Sequence, residues 1–129
     1  IKEGFGFGTA PEGTGSKVGH LQPANDGAAY LAGRGQVPIV TVGLFNSDVL
    51  FANVRRLKRS KIEVRIGEPY MLPDLGRRLR SRDLGAYTNL IMVKIAALLP
   101  ERYHGYYQDS PALQALLSGE DPWPYCLPL

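Results

Sequence analysis

The sequence predicts an α/β fold, and three observations carry that prediction. Val37 to Leu44 is an unbroken, largely β-branched apolar run with Pro38 at its start, the pattern of a buried strand. Leu84, Tyr87, Ile91, Ile95 and Leu98 recur at helical spacing between Asp83 and Pro100, which predicts a long amphipathic helix. Ahead of both, the order strand, polar loop, small-residue helix is that of an open α/β sheet. Ligand sites in such sheets gather where a strand ends and a helix begins.

Taken in order, Phe5 to Thr9 reads as a strand whose glycines allow close backbone approach. Residues 10–25 form a polar loop broken by Pro11, Gly13, Gly15 and Gly19. Asp26 is the expected N-cap of a short helix, Gly27 to Gly33, whose small side chains let it sit close on a sheet. Gly33 or Gly35 is expected to end it in the left-handed conformation. The Val37–Leu44 run, apolar on both faces, calls for a sheet covered by helices on both sides. Asn46 to Ser60 reads as a loop with a basic end. Lys61 to Ile66 alternates polar and apolar, the pattern of a half-exposed edge strand, closed by Gly67-Glu68-Pro69. After the long helix a short one is expected over Pro111 to Leu117. The tail, residues 118–129, has three prolines and reads as irregular.

A chain of 129 residues supports one modest domain, here residues 1–117, with a real core. Hydrophobic content of 44% and charged content of 21% lie in the ordinary globular range. The single Cys126 excludes an internal disulfide and fits a reducing compartment. No cationic-then-apolar leader opens the sequence, so no signal peptide is expected. The longest apolar run, Leu90 to Leu99, is interrupted by Lys94 and too short to span a bilayer. The first residue, Ile1, reads as mid-element sequence and suggests a fragment.

Charge is unevenly placed. From Arg55 to Arg82 ten Lys/Arg face three acids, a net of +7, so with +3 for the whole chain the remainder carries −4. Such a stripe either attracts phosphate-bearing partners, such as an anionic membrane surface, or is a solvated face. Nucleic acid is not expected, because Tyr70 is the stripe's only aromatic residue and offers little for base stacking.

Gly-rich phosphate motifs fail on inspection. Gly8-x4-Gly13 is followed by Thr14 rather than Lys, and the glycines at 4, 6, 8, 13 and 15 do not give G-x-G-x-x-G. What survives is a Gly/Thr/Ser loop ahead of a helix N-terminus, able to cradle an anion. Two histidines precede an acid or amide at a spacing of interest: His104-x4-Asp109 and His20-x4-Asn25. A Gly and two Tyr separate the first pair, which reads as a surface loop; His20 reads as an exposed loop residue.

Ala10-Pro11-Glu12-Gly13-Thr14-Gly15-Ser16, then Gly27-Ala28-Ala29-Tyr30-Leu31-Ala32, then Val37-Pro38-Ile39-Val40-Thr41-Val42-Gly43, resembles the phospholipid/glycerol acyltransferases, the 1-acylglycerol-3-phosphate acyltransferases among them. Val64 to Pro69 and Ile91 to Pro100 resemble the same family's C-terminal half, so the likeness covers nearly all of residues 1–117. It implies the C-terminal half of a mixed sheet flanked by helices. It implies acyl transfer from an acyl-CoA or acyl-carrier-protein thioester to a lysophospholipid or glycerol-phosphate-like acceptor in phospholipid synthesis. The thioester is a co-substrate; no cofactor and no metal are expected. The implied location is peripheral, on the cytoplasmic face of a membrane. Carried over residue by residue, Pro11, Glu12, Gly13, Thr14, Gly15, Ser16 and Asn25 form the acceptor-binding loop.

Three departures accompany the likeness. The family's catalytic His-x4-Asp motif lies before the Glu-Gly-Thr loop, and none of the eleven residues before Glu12 is His, so no catalytic residue is expected in this chain. The family's second motif, also upstream, is absent with it. Gly15 and Asn25 stand where the family has Arg and Lys, the expected phosphate clamps. The alternative expectation is therefore a non-catalytic lipid- or anion-binding domain derived from that family.

Overall fold

The computed structural model describes residues 6–11, 21–45 and 63–127. Within them four α-helices and one antiparallel hairpin are organised around a single long helix. We label the helices α1 (Gly27–Gly35), α2 (Ser81–Ala96), α3 (Pro111–Leu117) and α4 (Trp123–Cys126), and the strands β1 (Val42–Phe45) and β2 (Glu63–Ile66).

The first expected strand does not form over its described part. Residues 6–10 are exposed and pair with no described strand, and their alternating glycines offer no side chains with which to hold a pleated surface. Helix α1 runs two residues beyond expectation, and no glycine ends it. Gln36 takes the left-handed conformation instead (φ 48°), its N–H donating to Ala32 O at 3.0 Å and its side-chain amide to Gly33 O at 2.7 Å. Those two bonds offset the cost of that backbone for a residue with a Cβ.

The apolar run after α1 is regular only from Val42, where β1 pairs with β2: Val42 opposes Ile66 and Leu44 opposes Val64. The ladder continues raggedly. Gly67 N–H donates to Thr41 O, and Ile39 and Tyr70 then exchange both backbone bonds at 2.7 and 2.9 Å. Over that stretch the second strand holds one residue more than the first, a bulge, and Pro69 sits inside it where a missing N–H breaks no pair. Lys61, Ile62 and the expected loop Asn46–Ser60 lie outside the described residues.

Among the described residues, helices cover only one face of this hairpin. Thr41 and Gly43 are buried on the α2 side, whereas Val40, Val42, Leu44, Val64 and Ile66 are 46–69% exposed on the other. The continuous apolar run thus ends in a strand with one covered face among the described residues, rather than the two its composition calls for.

Helix α2 is the hub. Tyr87, Met92 and Val93 on it and Leu113 on α3 are fully buried, each contributing about 1.5–3 kcal/mol by leaving water. The Tyr87 hydroxyl donates to Pro73 O, and the Trp123 ring lies tilted over Tyr87 with centroids 5.5 Å apart. At the start of α2, Asp83 accepts the Arg80 N–H at 2.8 Å and two guanidinium bonds from Arg77 at 2.6 and 2.9 Å. Ser110 caps α3 through Leu113 N–H, with Pro111 in its first turn. The tail is not wholly irregular: α4 packs against α2 and α3, and Cys126 is buried there because Trp123 supplies the contact surface that composition alone hides.

Candidate functional site

The acceptor-binding loop predicted from sequence is described at its two ends. Asn25 N–H donates to Pro11 O at 2.9 Å, so the loop closes on itself immediately before α1. Glu12, Gly13, Thr14, Gly15 and Ser16 lie outside the described residues, as do Lys17 and His20. Pro11 and Asn25 are brought together, and both lie at the helix N-terminus, where backbone N–H groups favour an anion.

Asp26 does not cap α1 with its side chain. Its carboxylate instead accepts from the Thr88 hydroxyl on α2 at 2.7 Å, across sixty-two residues of sequence. That bond fixes the loop's exit to the rigid hub helix. Thr88 holds the start of α1, a role that sequence reading passed over, yet a signal exists: a polar residue stands between Leu84 and Ile91 on an otherwise apolar stripe. Closeness of α1 to α2 has a visible cause. A Cβ on Gly33 would come within 2.9 Å of the Tyr87 ring, so only glycine fits. The small residues of α1, Ala29 and Ala32 included, therefore serve contact with a helix rather than with the sheet.

The same loop exit is held from a second side. Leu21 N–H donates to Tyr103 O at 2.9 Å, and Tyr106 N–H donates to Leu21 O at 3.0 Å. Residues 101–108 form two consecutive 3₁₀ turns, Glu101–Tyr103 and Gly105–Tyr107, that put an open groove of about 540 Å³ beside this junction, lined by Glu101, Arg102, Gly105 and Gln108. Arg102 lies over the Tyr103 ring, its guanidinium carbon 4.2 Å from the centroid.

His104 belongs to these turns and is not the surface-loop residue expected. It is 6% exposed, and its Nε2–H donates to Leu99 O at 3.0 Å; Asp109 is exposed. The ring thereby ties the turns to the end of α2. With the ring buried on Leu99 O and Asp109 exposed, the two residues are not arranged as a base held by its acid.

The basic stripe does not form one surface over its described part. Arg65 donates to Leu98 O just beyond the C-terminus of α2, while Arg77, Arg78, Arg80 and Arg82 cluster at its N-terminus, about 24 Å away for a 16-residue helix. Within that cluster Arg77 is committed to the buried Asp83, whose carboxyl it holds at about 2, well below the usual carboxylate range. Among the described residues no group of His, Cys, Asp and Glu could hold a metal ion. No described helix is long and apolar enough to cross a membrane. No family model, curated protein or solved structure matches the chain.

Proposed function

We propose that this chain is the acceptor-binding part of a glycerolipid acyltransferase-like domain. In that reading a fatty acyl group passes from a CoA or carrier-protein thioester to the hydroxyl of a glycerol-phosphate-like acceptor, with the general base supplied from outside these residues. The observation that carries it is the closure of the Pro11–Asn25 loop at the N-terminus of α1, with Asp26 locked to Thr88. These bonds hold the two ends of the loop together at the start of α1 before a ligand arrives, which lowers the ordering cost of binding there. An anionic membrane surface is the partner that such an acceptor implies.

The test is titration of the chain with glycerol 3-phosphate, followed by amide chemical shifts. Shifts are expected at Asn25, Gly27 and Ala28, and Thr88→Val is expected to weaken them several-fold while the fold persists. Shifts scattered away from α1, or none at all, overturn the reading. In a thioester-dependent assay with lysophosphatidic acid the chain alone is expected to show no turnover. Turnover that His104→Gln abolishes contradicts the assignment of the base elsewhere.

One observation favours a second reading, a non-catalytic anion- or lipid-binding domain. His104 is buried against Leu99 O while Asp109 is exposed, so the His104-x4-Asp109 pair is not assembled as a dyad. Binding without any transfer, even when an upstream His-x4-Asp segment is supplied, decides for it.

A further inference from the structure

Three guanidiniums without acid partners stand at the start of α2. Arg78, Arg80 and Arg82 are exposed, and none of their side chains donates a hydrogen bond or closes an ion pair among the described residues. The acids beside them are engaged: Asp83 takes Arg77, and Asp74 accepts the Gly76 N–H at 2.9 Å. The basic stripe has only Tyr70 for stacking in sequence, and the fold adds a second ring. Leu79, between Arg78 and Arg80, is turned inward, its Cδ1 3.0 Å from where a Cβ on Gly33 would stand. The end of α1 therefore touches this segment. Arg34, exposed next to Gly33, joins the cluster, with the exposed ring of Tyr30 one turn earlier on α1. Arg34 donates to the Tyr30 hydroxyl at 2.6 Å and so steadies that ring.

We infer that Arg34, Arg78, Arg80 and Arg82, with Tyr30, form a surface for single-stranded nucleic acid, an inference independent of the acyl-transfer reading. All four cations are arginines, whose planar fork of donors matches a pair of phosphate oxygens. Arg78, Arg80 and Arg82 gain a phosphate without first giving up an acid, and each phosphate neutralised releases counterions. An exposed ring among such cations is a platform on which a base stacks, and a base is free to stack there only in an unpaired strand. A lipid surface is favoured instead by aliphatic side chains set among the cations, whereas Leu79 faces the protein. An acidic peptide would leave the Tyr30 ring unused.

The experiment is anisotropy titration of a labelled oligouridylate of about twelve nucleotides with the 129-residue chain, repeated between about 50 and 200 mM salt. Log affinity is expected to fall against log salt with a slope of about −0.7 for each phosphate engaged. Arg78→Gln combined with Arg80→Gln is expected to make that slope shallower by about 1.4. Tyr30→Ala is expected to weaken binding about five- to a hundredfold with the slope unchanged, because stacking carries no charge; Tyr30→Phe should keep most of the affinity. All these side chains are exposed, so the variants are expected to keep the wild-type melting temperature. Duplex DNA of the same length, polyglutamate and phosphatidylglycerol vesicles are the comparison arms. Oligouridylate bound more tightly than all three, with both mutational effects, supports the surface. No binding at the lowest salt, a slope that the arginine variant leaves unchanged, or affinity indifferent to Tyr30→Ala overturns it. Equal or tighter binding of any comparison probe also overturns it, and assigns the cluster to that probe's class.

Discussion

Asp83 is the residue whose ionisation the fold depends on most visibly. It is buried, it accepts one backbone and two guanidinium bonds, and its carboxyl is held at about 2. A depressed carboxylate stabilises the fold fully above its unfolded value of about 4 and loses that contribution as pH falls through the folded value. Asp83→Asn is therefore expected to lower the melting temperature at neutral pH, and the gap from wild type should close between about pH 4 and pH 2. A gap independent of pH would mean that the Arg77 pair contributes nothing. The same bond advises against reversing Arg77 when the basic stripe is probed, because a buried carboxylate would lose its partner; Arg78 and Arg80 are exposed and suit that purpose. Cys126 makes a second residue-scale case. Burial, with a smaller contribution from Asp121, pushes its thiol up to about 12. It is expected to resist a thiol reagent in native protein and to react at the rate of unfolding, which a stopped reaction with Ellman's reagent measures.

At the scale of elements, glycines divide into those that a neighbour requires and those that none does. A Cβ on Gly43 of β1 would lie 3.0 Å from a Leu99 methyl and 3.1 Å from Leu98 Cβ, where the strand crosses the end of α2. Gly43→Ala is expected to cost about 1–3 kcal/mol by overpacking. Gly33→Ala should cost as much, since it drives α1 off Tyr87 and disturbs the loop anchored beside it. Gly85 is the control. It lies inside α2, exposed, with nothing within 4 Å of its Cβ position, so Gly85→Ala is expected to stabilise by about 0.5–1 kcal/mol. Thermal or denaturant unfolding of the three variants checks all of this. Equal effects at Gly43 and Gly85 would refute the packing of strand on helix.

For the molecule as a whole, the distribution of apolar surface is uneven. Helices bury one side of the β1–β2 hairpin, and α4 closes the far side of α2 through Trp123 and Cys126. Trp123→Ala is expected to destabilise the whole cooperative unit by about 2–4 kcal/mol, because its ring covers Tyr87 at the centre of the core. The outer face of the hairpin behaves differently. Its five aliphatic side chains remain about half exposed, so Leu44→Thr with Ile66→Thr should leave the melting temperature nearly unchanged while reducing binding of an apolar dye. A large loss of stability from that pair would show that the face is covered in solution.

The sequence by itself determined the elements whose information is local. Periodicity over fifteen residues placed α2 to within a few residues, Ser110 and Pro111 marked the start of α3, and alternation marked β2, because each depends on neighbours a few positions away. It also brought out the loop ends Pro11 and Asn25, although the residues between them lie outside what the structure describes. Tertiary structure alone decided the rest. The pairing of β1 with β2 depends on bonds between segments about twenty residues apart, and no local pattern states that the run from Val37 is covered on one face only. The left-handed residue fell to Gln36 rather than a glycine because a side-chain bond to Gly33 offset its strain. His104 turned inward, where its ring N–H is taken up by Leu99 O just beyond the end of α2. Asp26 left its own helix for Thr88 for a similar reason: a buried hydroxyl without a partner costs more than an uncapped, solvated helix start. The His104 and Asp26 choices are settled by a polar group's need for a partner, and that need is invisible until the chain has folded.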